Sequence, residues 1–190
     1  VSHELKTPIA LIQGYAEGLQ ECINDDEESR NFYCEVIMDE TDKMNRMVMQ
    51  LLSLNQLEFG NNVISMSRFD ITEVIAGVIN ASNILAEKNE VTISFGQTEP
   101  LYVSGDVFRI EEVVTNYISN AINHCTKGGS ITVSYVVRDG LVRVSVFNQG
   151  QPIPQDELEK IWIKFYKVDK ARTREYGGSG IGLSIVKAIM

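Results

Sequence analysis

Several features are scarce in this 190-residue chain, and each scarcity excludes a class of protein. No apolar run approaches the roughly 18 to 20 residues that a membrane-spanning helix needs, and no secretory signal peptide is present, so we expect a soluble globular chain. Lys and Arg are scattered and the net charge is -9, so nucleic acid is not expected as a partner. The three cysteines show neither a CxxC pair nor zinc spacing, which predicts buried thiols in a reducing compartment: Cys22, Cys34 and Cys125.

The chain begins with apolar residues at helical spacing. From Leu5 to Ile23 they recur at alternating steps of four and three, which is typical of one face of an α-helix. A second periodic segment runs from Val36 to Leu54, after the polar stretch 24–28. Two helices joined by a short turn predict an antiparallel hairpin. Because a hairpin buries too little of its own apolar seam, we expect two copies to pair as a homodimeric four-helix bundle.

Beyond Gly60, which is predicted to end the second helix, the pattern changes to strands mixed with helices. Short strands are expected at 64–69, in VTISF and in LYVSG, and helices at 71–88 and 106–124. The alternating runs SITVSYVV and LVRVSVFN flank an Asp-Gly pair, which is a strong signal for a β-hairpin. The sequence therefore predicts a multidomain chain: a helical hairpin over residues 1–60 and an α/β two-layer sandwich over residues 61–190.

The second of these predicted helices carries a polar stripe. Glu112, Asn116, Asn120 and either Asn123 or His124 recur at steps of about four residues. Asn has a poor helix propensity, so the stripe is either a solvated face or a functional one. Amide oxygens are hard, neutral ligands that suit a Mg²⁺ already ligated mostly by phosphates and water. The functional interpretation is a Mg²⁺-phosphate site.

Two later segments have features of phosphate contacts. Glycines in YGGSGIGLSIVK precede an apolar helical pattern, so backbone N–H groups and a helix N-terminus could approach phosphate, although a plain glycine-rich turn is the alternative. Their GxGxG spacing matches neither the dinucleotide nor the P-loop motif. The basic, aromatic stretch 162–176 predicts a mobile loop that is either a solvated surface loop or a lid over a polyphosphate. The basic residues that could close over it are Lys164, Lys167, Arg172 and Arg174.

In this order, the segments resemble the catalytic core of two-component sensor histidine kinases. The resemblance rests on SHELKTP (H box), NYISNAINH (N box), NQG (first G box), KFYKVD (F box) and GGSGIGL (second G box). It covers nearly all of the chain and implies a dimerisation and phosphotransfer domain followed by a Bergerat-type ATP-binding domain. It also implies ATP and Mg²⁺ as ligands and the receiver domain of a response regulator as partner.

The resemblance assigns roles to particular residues. His3 would be the nucleophile that attacks the γ-phosphate of ATP, and Glu4 would fix the tautomer of its ring and accept its proton. Thr7 would position water for dephosphorylation of the response regulator. Asn116 and Asn120 would ligate Mg²⁺, with Asn120 the stronger candidate. The other nucleotide-binding residues implied are Asn123, His124, Asn148, Gly150, Phe165, Lys167, Arg174, Gly178, Gly180, Gly182 and Leu183.

Three residues depart from the family pattern. Asn148 stands where an Asp usually accepts a hydrogen bond from adenine, Pro152 replaces a glycine, and Asn123 replaces a common Lys, so we expect weak ATP binding. The alternatives are a degenerate kinase that acts as a non-catalytic dimerisation and binding module, and an enzyme that acts mainly as a phosphatase. The resemblance further implies a fragment, incomplete at its C-terminus, from the cytoplasmic portion of a bacterial inner-membrane sensor whose membrane segments precede it.

Overall fold

A computed structural model describes residues 2–23, 26–60, 64–168 and 178–190, with side chains from residue 5 onward. The described helices are α1 (Ser2–Gln20), α2 (Glu27–Phe59), α3 (Ile71–Lys88), α4 (Val107–His124) and α5 (Gly182–Ile189). The described strands are β1 (Met66–Asp70), β2 (Thr92–Phe95), β3 (Tyr102–Asp106), β4 (Ser130–Arg138) and β5 (Leu141–Asn148). Within these ranges, no helix combines the length and apolar character required to cross a membrane.

The predicted helical hairpin is confirmed. Helices α1 and α2 pack against each other, and an aromatic cluster lies near their connection, where the Tyr15 ring is 5.1 Å from Tyr33 and 6.1 Å from Phe32 in edge-on geometry. Gly18 makes room for this cluster, because a Cβ there would lie 2.9 Å from the Tyr33 ring. Helix α1 continues through Pro8 rather than ending there.

The remainder forms the predicted α/β sandwich. Strands β1 and β3 pair in a two-stranded antiparallel sheet, while β2, β4 and β5 form a second sheet in that order, with β2 parallel to β4. The Asp-Gly turn between β4 and β5 has positive φ at both Asp139 (53°) and Gly140 (75°), as a tight hairpin turn requires. Helices α3 and α4 bury their apolar faces against both sheets, in a core centred on Ile75, Ile118 and Ile131.

Aspartates cap the two helices of the sandwich. Asp70 accepts hydrogen bonds from the N–H groups of Thr72 and Leu101, both at 2.9 Å, and so caps α3. Asp106 caps α4 and also accepts a 3.0 Å bond from the N–H of Ser65. That N–H holds the pKa of Asp106 below its usual value, because it favours the ionised carboxylate. The N-terminus of α4 is therefore held next to the start of β1.

The prediction of buried thiols is wrong for two of the three cysteines. Cys22 and Cys34 are exposed and Cys125 is half-buried, and all three are free. Cys22 follows the end of α1 in the turn, and Cys34 lies on an exposed part of α2. Apolar character alone did not determine burial here, because the hairpin has only one packed face per helix.

A second apolar cluster joins the hairpin to the sandwich. Its fully buried members are Leu54 of α2 and Ile181 and Ile185 of the α5 segment, with relative exposures of 1% or less. Helix α5 therefore packs on the C-terminal half of α2. The residues that complete the cluster are Met47, Leu5, Leu51, Leu57, Phe165, Ala188 and Ile189.

Candidate active site

Helix α4 organises the candidate site because its two faces have different neighbours. Val114, Ile118 and Ile122 face the sandwich core, whereas Glu112, Asn116 and Asn120 lie one turn apart on another face. From N- to C-terminus, this polar face meets α2, then the start of α5, then the turn after β5. The polar stripe is therefore a contact face, and the reading as a merely solvated face is wrong.

Asn116 is held tightly between its own helix and α5. Its Nδ2 donates a 2.9 Å hydrogen bond to the backbone carbonyl of Glu112. A Cβ at Gly182 would lie only 2.5 Å from the Oδ1 of Asn116, so only glycine allows this approach. The N-terminus of α5 and the N-box helix thus meet at this pair.

Asn120 differs from Asn116 in that its carboxamide forms no hydrogen bond with the described residues. It is half-buried one turn beyond Asn116. The described residues contain no cluster of three His, Cys, Asp or Glu that could hold a metal. A Mg²⁺ here would take most of its ligands from phosphate and water, and the free amide oxygen of Asn120 fits that role.

The end of α4 meets the NQG turn. A Cβ at Gly150 would lie 2.4 Å from the backbone carbonyl oxygen of His124 and 3.0 Å from the Nδ2 of Asn148. The His124 side chain is exposed, and that of Asn123 is half-buried. A hydrogen bond of 2.7 Å from the N–H of Thr126 to the carbonyl of residue 149 ties the turn to the helix end. The first G box and the end of the N box therefore form one unit.

The F box and the second G box are also joined. The N–H of Phe165 donates a 2.8 Å bond to the carbonyl of Gly180, and both residues have positive φ, 64° and 71°. A Cβ at Gly180 would lie 3.0 Å from the Phe165 backbone. The Phe165 side chain packs in the cluster between α2 and α5. Gly178 is exposed, and Leu183 is half-buried on the first turn of α5.

The structure describes only part of the basic stretch that could form a lid. Lys164 pairs with Glu58 of α2 at 2.5 Å, so it contacts the hairpin in this structure instead of closing over a phosphate site. Lys167 is half-buried in the segment that follows. Arg172 and Arg174 lie outside the described residues.

The residues of the H box lie at the beginning of α1. His3 and Glu4 are on its first turn, although their side chains lie outside the described part of the chain, and Thr7 is exposed one turn later. Leu5 packs against the cluster that contains Ile181 and the start of α5. The H-box end of the hairpin and the second G box are therefore adjacent to the same apolar cluster.

Contacts from α2 to the site were not found from sequence. The Oγ of Ser53 donates a 3.2 Å bond to Glu112, and the Oγ of Ser179 donates a 2.7 Å bond to the Oε1 of Gln50. Polar residues on a long helix normally indicate a solvated face. Gln50, Ser53 and Glu58 therefore carried no sequence signal that separated them from their exposed neighbours.

Replacing Gly150 with Ala should lower the free energy of unfolding by about 1 to 3 kcal/mol, because the new methyl group would meet backbone that cannot move aside easily. Thermal and denaturant unfolding would measure the change. The matched control is Gly77→Ala: Gly77 is exposed within α3 and a Cβ there meets nothing within 4 Å. That control should stabilise the protein by about 1 kcal/mol. Equal effects of the two substitutions would contradict the tight approach at Gly150.

The structure is a helical hairpin docked on an α/β sandwich, and each part matches a known family. Residues 1–60 match the family described as "His Kinase A (phospho-acceptor) domain". Residues 105–190 match the family described as "Histidine kinase-, DNA gyrase B-, and HSP90-like ATPase". The two matches cover the hairpin and most of the sandwich.

Individual relatives agree with these matches. The sensor histidine kinase WalK of Bacillus subtilis is 33% identical over 100% of this chain and 31% of the relative. The structure of ThkA with the response regulator TrrA is 28% identical, with a TM-score of 0.72 over 88% of this chain and 49% of that one. The catalytic domain of ThkA alone is 31% identical, with a TM-score of 0.56 over 66% of this chain and 79% of that one. Full-length ShkA with AMPPNP shares the fold at 24% identity, with a TM-score of 0.72 over 99% of this chain and 39% of that one.

The chain belongs to the two-component sensor histidine kinase family. It spans about a third to a half of the length of the curated relatives it matches.

Proposed function

We propose that the protein phosphorylates His3 from ATP and then transfers the phosphoryl group to an aspartate of a response regulator. The observation that carries this proposal is the shared apolar cluster of Leu5, Ile181 and Phe165. Leu5 is two residues from His3, while Ile181 lies in the second G box and Phe165 in the F box. Docking on α2 therefore brings the nucleotide-binding loops toward the end of the hairpin that carries His3.

The chemical step exchanges one phosphorus bond for another. A neutral ring nitrogen of His3 attacks the γ-phosphorus, the P–N bond forms, and the P–O bond to ADP breaks. The ring gains positive charge as it loses its lone pair, and Glu4 accepts the proton from the other ring nitrogen. In the second reaction, an aspartate oxygen of the partner attacks the phosphorus, and the His3 ring nitrogen leaves.

The residues along α4 suit the different parts of ATP. Asn148 beside Gly150 offers an amide oxygen that accepts a hydrogen bond from the adenine amino group without a charge. About 12 Å separates Asn116 from His124 along the helix axis, so the two glycine segments lie at opposite ends of the stripe. Backbone N–H groups at 178–183 would bind the phosphates. Mg²⁺, when bound by the phosphates and the Asn120 amide oxygen, supplies neutralisation of phosphate charge.

The hairpin surface suits both a second copy and a partner. Large apolar side chains on both helices are exposed in a single chain, including Ile9 (48%), Met49 (61%) and Leu52 (52%). A homodimeric four-helix bundle would bury such side chains, so their exposure in a single chain supports dimerisation. The ThkA structure with TrrA supports a response-regulator receiver domain as the partner, and residues close to Ile9 and Ile12 on the His3 side would contact it.

Incubation of the purified protein with Mg²⁺ and γ-labelled ATP tests the proposal. The expected product is a protein-bound label that acid removes and alkali does not, which then moves to a receiver domain. Binding of nucleotide without any label would instead favour phosphatase action, and a folded dimer that binds no nucleotide would favour the non-catalytic module. In either case the proposed kinase reaction would be wrong.

The same protein is proposed to dephosphorylate its partner with the help of Thr7. Thr7→Ala should slow release of phosphate from the phosphorylated receiver domain by on the order of 10- to 100-fold, because the hydroxyl positions the attacking water. Labelling of His3 should persist. Thr7→Ser, which keeps the hydroxyl, is the control and should retain phosphatase activity. Parallel loss of phosphatase activity and His3 labelling in Thr7→Ala would contradict this division of roles.

The domain boundary and the cellular location are further parts of the proposal. Helix α2 ends at Phe59 and β1 begins at Met66, which supports domains over 1–60 and 61–190. The curated relative reported above, WalK of Bacillus subtilis, is a bacterial sensor histidine kinase. We therefore assign this portion to the cytoplasmic side of a bacterial inner-membrane sensor.

A further inference from the structure

Helix α2 makes polar contacts with three separate segments of the nucleotide-binding domain. The residues involved recur at steps of three to five, on the side of α2 that also carries Leu54 and Leu57 of the apolar cluster. The contacts are Gln50 with Ser179 at 2.7 Å, Ser53 with Glu112 at 3.2 Å, and Glu58 with Lys164 at 2.5 Å. Of these three contacts, the one made by Gln50 reaches the glycine-rich loop.

Ser179 lies between two glycines of that loop and uses its hydroxyl twice. Its Oγ donates to the Oε1 of Gln50 and accepts a 3.2 Å bond from the N–H of Ile181. Both Gln50 and Ser179 are half-buried, so water competes less for this bond than for one at the surface. The loop is therefore held from outside its own domain, at a point between Gly178 and the start of α5.

The loop needs such support because of its composition. Glycine loses more conformational freedom on ordering than any other residue, so a glycine-rich loop is costly to hold in one shape. The bond from Phe165 to Gly180 restrains the loop from the F box, and the bond to Gln50 restrains it from the hairpin. A loop that is ordered before nucleotide arrives leaves a smaller ordering cost for binding.

We infer that Gln50 is a positioning residue for nucleotide binding, which acts through the hydroxyl of Ser179 on the loop at 178–183. This inference rests on the proposed function, in which that loop binds the phosphates of ATP. Because coupling between two equilibria is reciprocal, bound nucleotide also strengthens the docking of the domain on α2. The hairpin thereby contributes to the affinity of a site in the other domain.

Calorimetric titration of the full chain with a non-hydrolysable ATP analogue and Mg²⁺, which measures the Kd of the analogue, tests the inference. Gln50→Met keeps the length and packing of the side chain but removes the acceptor, and it should raise the Kd about two- to tenfold. Ser179→Ala should raise the Kd at least as much, because it removes the bond from the N–H of Ile181 as well. Since both changes remove the bond between Gln50 and Ser179, the double variant should bind no more weakly than Ser179→Ala alone.

Asn55→Ala is the matched control, because Asn55 is an exposed amide on the same helix outside the three contacts. Its Kd should equal that of the wild type, and thermal unfolding should show that all variants are folded at the titration temperature. Unchanged or tighter binding by Gln50→Met, or independent multiplication of the two single effects, would overturn the inference alone. A wild-type protein that binds no nucleotide would overturn the proposed function as well.

Discussion

Replacement of His3 by Gln should abolish the acid-labile label completely, while binding of an ATP analogue stays at the wild-type level. The reason is chemical: an amide nitrogen has no available lone pair with which to attack phosphorus, whereas a neutral imidazole has one. The nucleotide contacts proposed here lie on α4, the NQG turn and the loop before α5, so they do not depend on His3. Labelling with γ-labelled ATP and calorimetric titration measure the two quantities separately.

The chain offers a matched control because it contains one other histidine, His124. His124→Gln should still carry the label on His3, since His124 lies at the end of α4 beside the NQG turn. A label that persists in His3→Gln, or that disappears only in His124→Gln, would show that His3 is not the phosphoacceptor. The comparison also excludes unspecific phosphorylation of histidine.

Asn120→Ala should reduce formation of the label by about 10- to 100-fold or more and raise the Mg²⁺ concentration needed for half-maximal rate. The physical basis is the contrast between two amides on the same face of α4. The Nδ2 of Asn116 donates to the carbonyl of Glu112 and its Oδ1 lies close to Gly182, whereas the Asn120 carboxamide makes no hydrogen bond among the described residues. Initial rates of labelling at a series of Mg²⁺ concentrations would measure the effect.

Two variants separate a role in metal binding from a role in structure. Asn120→Asp keeps an oxygen ligand and should recover much of the Mg²⁺ response. Asn116→Ala should instead weaken nucleotide binding even with Mg²⁺ removed by a chelator, because Asn116 contacts the loop at Gly182. If Asn120→Ala leaves the Mg²⁺ dependence unchanged, Asn120 is not a metal ligand.

Local patterns predicted most elements because the forces that set them are local. Asp70 and Asp106 precede helices that they cap, and the Asp139-Gly140 pair forms the tight turn of the β-hairpin. Their signals involve residues two or three apart in the sequence. The order of the H, N, G and F boxes then identified the family, which the comparisons confirm.

The contacts that the site residues make with distant parts of the chain could not be predicted in the same way. The sequence ranked Asn120 above Asn116 only by resemblance, while the packing of Gly182 on Asn116 supplies a physical reason. Lys164 was one of the residues that could close over a phosphate, and in the structure it pairs with Glu58, more than 100 residues away in the chain. Contacts between positions so far apart depend on how whole domains pack, and periodicity carries no information about them.

The sequence by itself therefore determined the helical hairpin and the α/β sandwich, because helix periodicity and turn residues act over a few neighbouring residues. The order of the boxes gave the family, and resemblance to that family gave His3 as the candidate nucleophile. Only the tertiary structure decided that Gln50 and Ser53 of α2 contact Ser179 and Glu112 of the other domain, and that Leu54 packs against the α5 segment. The physical reason is that burial of Leu54 against α5 aligns one whole face of α2 with the loops of the other domain. Polar residues on that face acquire partners only after the domains have docked.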